Sequence, residues 1–164
     1  MAQLYRDQYY HYINTATTSG STTSPTWTRE GQGVESLSVN FGPNKDTYRT
    51  ILDRTTQTTF KNYELSSSIS DKRCYSDDAM YTYLDGLRRN TIAGETQLLE
   101  INTAKASTPG NYEAVKYNVL ITINEWLGED ATISYDIDYS NPVIGTATIT
   151  GGTPSFTPSS NVSL

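Results

Sequence analysis

The sequence predicts a mainly β domain with a single helix, and three observations carry that expectation. Residues 131–140, "ATISYDIDYS", alternate apolar and polar side chains along their whole length. A second alternation runs from 115 to 123, where Val115, Tyr117, Val119, Ile121 and Ile123 share one parity and Leu120 is the exception on the other. One stretch alone, about 76–90, combines helical spacing with helical end signals. A chain of 164 residues fits one domain, able to bury roughly 70% of its unfolded surface. Its apolar share is lean at 35%, and its 13 tyrosines suit half-exposed edges and interfaces.

In chain order, a tyrosine cluster comes first: Tyr5, Tyr9 and Tyr12 fit a helix, while Tyr10 and Tyr12 fit a strand. Residues 14–26, "NTATTSGSTTSPT", are small, polar and aperiodic, as in a loop or flexible arm. Trp27 is expected to open the folded part. Residues 34–41, "VESLSVNF", put Leu37, Val39 and Phe41 on one side and read as a strand. Gly42 and Pro43 break it, a long polar connection follows over 42–54, and 55–67 reads as the returning strand of a long hairpin. Ordered loops longer than an ordinary hairpin turn are usually functional.

The helix takes Ser76 as N-cap, with Asp77 and Asp78 in the first turn. Met80, Tyr83, Leu84 and Leu87 form its apolar stripe. Arg88 and Arg89 complement the dipole at its end, and Asn90 supplies a left-handed stop. Beyond it, "TQLLEIN" from 96 is a short strand, and "GED" at 128–130 turns the 115–123 strand into 131–140. "SNP" is expected to end that strand and "VIGTATIT" to supply another, with Val143, Ala147 and Ile149 inward. Residues 151–164 are a Gly/Pro/Ser-rich tail anchored by Phe156. The division expected is an arm over 1–26, a core over 27–150 and a second arm over 151–164.

Charge narrows the function classes. The net charge is −6, and it lies in one half. Residues 1–91 balance ten Lys/Arg with ten Asp/Glu, whereas 92–164 set Lys105 and Lys116 against eight acids. No basic stripe for stable nucleic-acid binding is present in the sequence. The start, "MAQLYRDQYYHYI", lacks the basic and apolar regions of a secretion signal, and no apolar run reaches the length of a membrane span. Folding in a cytoplasm without a membrane partner is the expectation.

Catalytic and metal chemistry lack their parts. With one His, His11, and one Cys, Cys74, the chain cannot supply the three or four N/S ligands of a zinc site. A Cys–His nucleophile would need these two distant residues to meet; the plainer expectation is a small buried thiol and an exposed imidazole. Asp136, Asp138 and Ser140 copy the first three ligands of a calcium loop, but Asn141 and Ala147 stand where it needs Gly and Glu. Nothing selects a carboxylate pair for glycoside hydrolysis. "GQG" at 31–33 is a turn and no phosphate loop. No enzyme and no cofactor are expected.

The acidic face of 131–140 needs no special support. Two exposed charges about 7 Å apart repel by roughly 0.6 kcal/mol in water. Burying one large apolar side chain on the other face contributes about 1.5–3 kcal/mol.

Several segments together resemble the tail tube (major tail) proteins of bacteriophages with long non-contractile tails. They are "TWTREGQG", "SLSVNFGP" with the loop to "YRTI", "YSDDAMYTYLDGLRRNTIAG", and the ending "ISYDIDYSNPVIGTATITGGTPSFTP". The resemblance implies a β-sandwich or half-barrel of antiparallel strands flanked by one helix. It implies rings of six copies, stacked into a virion tail after synthesis in the host bacterial cytoplasm. The implied partners are the chain itself, a tape-measure protein, and tail-tip and terminator proteins, with double-stranded DNA passing without stable binding. The hairpin loop, with Lys45, Asp46, Arg49, Asp53 and Arg54, and the terminal arms would bridge rings. Asp136 and Asp138, with Glu125 beside them, would face the lumen, where an acidic wall lets DNA slide. A contractile-tail or type VI secretion tube protein, a lectin-like module using Trp27, Trp126 or exposed tyrosines, and a capsid decoration protein are the alternatives.

Overall fold

The computed structural model describes residues 3, 5–17, 19–20 and 24–159. The parts of both expected arms at 1, 2, 4, 18, 21–23 and 160–164 lie outside the described residues. The strands are β1 (Tyr9–Asn14), β2 (Trp27–Glu30), β3 (Pro43–Tyr48), β4 (Gln57–Tyr63), β5 (Ser66–Arg73), β6 (Gly94–Thr108), β7 (Asn111–Leu127), β8 (Thr132–Thr150) and β9 (Thr153–Pro158). One helix, α1 (Ala79–Asn90), lies between β5 and β6. The main sheet is antiparallel, in the order β2-β1-β6-β7-β8-β5, with β9 also paired to β8. The fold is mainly β with one helix, its sheet curled into a nearly closed barrel.

Two apolar clusters lie on opposite faces of the sheet. Successive strand residues point to opposite faces. Leu98, Val119, Ile121, Ile133, Tyr135 and Ile137 pack together with Met80, Leu84 and Leu87 of α1, which makes theirs the helix face. Leu99, Ile101, Ala114 and Ala147 belong to the second cluster with Tyr12. Trp27 of β2 and Phe156 of β9 come from opposite margins of the sheet and pack on this same cluster.

Several expected elements are corrected. Residues 34–41 form no strand beyond a single bridge, Asn40 to Ser66. Their alternation records one-sided burial, because Val34, Leu37 and Val39 pack against the helix-face core. The returning strand exists as β4, but its partner is β3, inside the stretch expected to be loop. β5 is a separate strand. The helix starts at Ala79 with Asp78 as N-cap, its carboxylate accepting from the Met80 N–H at 2.9 Å, so Ser76 is not the cap. The left-handed stop is Thr91 (φ 54°), one residue past Asn90. The "SNP" segment does not end its strand. Asn118 pairs with Ser140 and Lys116 with Val143, so Asn141 (φ 48°) and Pro142 make a bulge and β8 runs on. A bulge absorbs the proline's missing N–H without breaking the ladder.

Both expected arms contribute strands. β1 lies between β2 and β6, with Tyr12 and Ile13 buried, so the sheet already includes residues ahead of Trp27. β9 closes on β8 at Gly145, where an added Cβ would meet the Thr157 carbonyl at 2.3 Å. Only glycine permits that approach.

Candidate functional site

The strand pairing gathers the predicted acidic residues on one face. Ser134, Asp136 and Asp138 share the parity opposite to the buried Ile133, Tyr135 and Ile137. In transverse rows, Glu95, Leu120, Asp138 and Ser66 stand side by side, as do Thr122, Asp136 and Ser68. Glu125 joins the same face only because a bulge after Ile123 pairs it with Ser134. Without that bulge it would have stood with the core residues. Leu120, the exception in its strand, is half-exposed on this face. Farther along, Lys116 lies over the Phe156 ring at 5.3 Å. Glu95 is an acid of this face that sequence reading missed, since it opens a strand expected to start at 96. The Asp136 and Asp138 positions lie on continuous strand, which no calcium loop adopts. Among the described residues no group of three His, Cys, Asp or Glu is placed to hold a metal ion.

The β3–β4 hairpin is the second feature, and it stands apart from the main sheet. Both its strands are exposed along their entire length. A two-stranded hairpin is marginal by itself in water. This one is held at its base by Phe60 against Tyr63 (4.7 Å between ring centroids) and Phe41 against Tyr63 (5.6 Å). Lys61 pairs with Asp46 at 2.7 Å midway. At the tip, Asp53 accepts from the Thr50 N–H (3.0 Å), the Thr50 hydroxyl (2.8 Å) and the Gln57 amide (3.3 Å). The Thr50 bonds hold its carboxyl below the ordinary aspartate range. Arg49 donates to the Asp53 carbonyl at 3.1 Å. Lys45, Asp46, Arg49, Asp53 and Arg54 therefore all belong to this hairpin or its turn. The tip also carries Ile51, 103% exposed, and Leu52, 93% exposed. An apolar pair inside an otherwise charged loop was the signal that could have drawn attention to them.

Beside the hairpin base lies a groove of about 1020 Å³. Val34, Leu37 and Val39 line it, with Tyr9, Asp7, Glu100 and Arg29 around them. His11 is half-buried there and faces Glu100 at 3.4 Å, so it is not the exposed imidazole expected. Cys74 is half-buried, and burial raises its thiol above the usual range.

A buried ion cluster stiffens the wall of the groove. Lys72 of β5 is fully buried. It contacts Glu30 of β2 at 3.1 Å, Asp78 of the helix cap at 2.8 Å and the Gln32 carbonyl. A bulge between Ile69 and Lys72, with Asp71 at φ 55°, is what turns Lys72 onto the helix face opposite Ile133. Burial raises the Glu30 carboxyl above its ordinary range, and Lys72 opposes that rise. The Tyr135 phenol, next to Glu30, is pushed well above its usual range by burial. One Glu30 oxygen and the Tyr135 hydroxyl have no well-formed hydrogen bond. Two strands and the helix N-terminus are thus tied through one ammonium group.

Of the two tryptophans that a lectin-like module would use, one is taken up in packing and the other stays partly exposed. Trp27 packs on the second cluster, and Trp126 lies under the Arg88 guanidinium at 4.5 Å. Arg88 and Arg89 also both reach Asp85, at 2.6 Å each. No helix is long and apolar enough to cross a membrane among the described residues.

Comparison of the sequence with family models and with curated proteins finds no match. Among solved structures, the fold is similar to a chain of one described as "Cryo-EM structure of the anti-feeding prophage (AFP) baseplate, 6-fold symmetrised". That likeness has a TM-score of 0.48 at 8% identity and covers 88% of this chain and 96% of that chain.

Proposed function

We propose that this chain is a self-assembling structural subunit of a phage-type tail tube, and not an enzyme. Copies join side by side into rings, taken as hexameric from the resemblance of the sequence, and rings stack into a conduit. The observation that supports this most is the hairpin: two exposed strands end in Ile51 and Leu52, which none of the other described residues covers. Solvent exposure of such a pair forfeits about 1.5–3 kcal/mol per side chain, which burial against another copy would recover. Lys45, Asp46, Arg49, Asp53 and Arg54 are its ring-stacking residues, and the terminal segments add to the contact. Tape-measure, tail-tip and terminator proteins are the further partners, and the location is the virion tail.

The acidic face supplies the conduit wall. Asp136, Asp138 and Glu125, with Glu95 in the neighbouring row, repel polyphosphate within about one screening length of 8 Å. DNA then passes without gripping the protein.

Negative-stain microscopy and sedimentation at rising protein concentration test the assembly. Rings or tubes are expected; a persistent monomer retained on a glycan column would replace the assignment with a lectin-like module. A neighbouring sheath gene would instead point to a contractile or type VI tube. Asp136→Lys combined with Asp138→Lys is expected to leave assembly intact, since both side chains lie on the face away from the helix. It should slow genome exit, because each subunit then presents cations to the phosphates. Normal release from such virions would remove these two residues from the wall.

A further inference from the structure

Resting on the self-assembly proposed above, we infer that the groove walled by Val34, Leu37 and Val39 receives the Ile51–Leu52 tip of a second copy. The tip cannot reach the groove of its own chain. Its strands pair from Pro43 with Tyr63 to Tyr48 with Gln57, with a bulge between Asn44 and Lys45, so they extend roughly 17 Å from the base before the turn begins. The base is anchored by the Glu64 N–H bonding the Phe41 carbonyl at 3.1 Å. The groove is lined by the segment immediately before that base.

The two surfaces match in chemistry. The tip offers two apolar side chains flanked by Arg49 and Arg54. The groove offers an apolar wall with the acids Asp7 and Glu100 in its lining, Glu100 also facing His11 at 3.4 Å. Its own cation, Arg29, is stacked on the Tyr10 ring at 3.6 Å. Asp53, beside Leu52, has its carboxylate engaged by Thr50 and Gln57. A charge held at that place suits a protein groove with polar rims and opposes insertion into lipid.

The geometry of such a contact has a consequence. Donor tip and acceptor groove are different surfaces, so the contact is heterologous: after binding, the donor copy keeps its groove free and the acceptor copy keeps its tip free. Contacts of that kind propagate into open stacks unless a rotation closes them.

A complementation experiment tests this. Ile51→Asp with Leu52→Asp removes the donor at fully exposed positions. Leu37→Lys removes the acceptor, and Asp7→Lys with Gln32→Lys does so from exposed rim positions should Leu37→Lys fail to fold. Each altered protein alone is expected to need at least about a hundredfold higher concentration to stack. Mixing the two restores contact between unlike copies, because one tip and one groove stay intact. In a Cys74→Ser background, Leu52→Cys on one copy should form a disulfide with Val39→Cys on another, and not within one chain. If the wild type assembles while neither complementation nor the crosslink appears, the tip docks elsewhere; this inference falls and self-assembly stands. A wild type that never associates ends both. Flotation of the wild type with lipid vesicles, lost in the tip variant, would assign the tip to a bilayer and overturn the inference.

Discussion

Replacing Lys72 by methionine is expected to destabilise the fold by about 3–5 kcal/mol, the usual cost of leaving a buried carboxylate without its partner. Lys72 is the one cation in contact with both Glu30 and Asp78 among the described residues. Methionine fills similar space but leaves two buried acids facing each other. The pH dependence follows in sign. Burial already raises the Glu30 carboxyl, and Lys72 is the group that lowers it. Without Lys72 the folded-state value rises further above the unfolded one. A group raised in this way contributes stability that is present below its unfolded value and is lost as pH rises through the folded one. The Lys72→Met protein should therefore be weakest at neutral to alkaline pH and recover part of its melting temperature near pH 5. Adding Glu30→Gln should restore much of the loss at pH 8, since it removes the orphaned charge. Thermal melts of the three proteins at both pH values check this. A Lys72→Met protein that melts like the wild type would show that the cluster does not hold the two strands to the helix.

Leu84→Ala should cost about 2–5 kcal/mol. Leu84 is fully buried where α1 meets the sheet, packed in the cluster that includes Ile133 and Tyr135. Truncation leaves a cavity between two rigid elements that cannot easily collapse. The matched control is Leu120→Ala on the acidic face, where the side chain is half-exposed and the change should stay within roughly 0.5 kcal/mol. Denaturant titration of both proteins gives the comparison. Equal losses would mean that the acidic face is covered in the protein as it exists in solution, which would count against its being the open wall of a conduit.

The contrast between these two leucines was already written in the chain. Leu120 broke the alternation of its strand, and Leu84 belonged to a clean helical stripe. Local periodicity identifies which side of an element is buried, because side-chain direction repeats every two residues in a strand and every 3.6 in a helix. For that reason the single helix, the buried parity of 133–139 and the acidic parity opposite it were all legible. The same property misled at 34–41. One-sided burial of Val34, Leu37 and Val39 produces a strand-like pattern without any ladder.

The turn at "GED" gave the pairing of 115–123 with 131–140, but the other pairing partners were not legible, since hydrogen bonds between strands leave no mark on residue order. The continuity of β8 through Asn141 and Pro142 depends on the neighbouring strand accepting a bulge, and Asn-Pro otherwise signals a stop. Lys72 sat in a polar run, and nothing local distinguished it from the exposed Arg73 that follows. Its burial comes from the bulge at Asp71 and from two acids, Glu30 far back in the sequence and Asp78 at the start of the helix that follows.

Residue order alone established a mainly β chain with one helix, an excess of acid in the second half, and a complement of one His and one Cys. Those follow from composition and short-range period, which every local segment carries with it. Folding in three dimensions was needed to gather Glu125, Asp136 and Asp138 on one face. It also paired β3 with β4 into a projecting hairpin and brought Trp27 and Phe156 onto one cluster. Strand partners, register and bulges decide these contacts, and the period of a single element carries none of them.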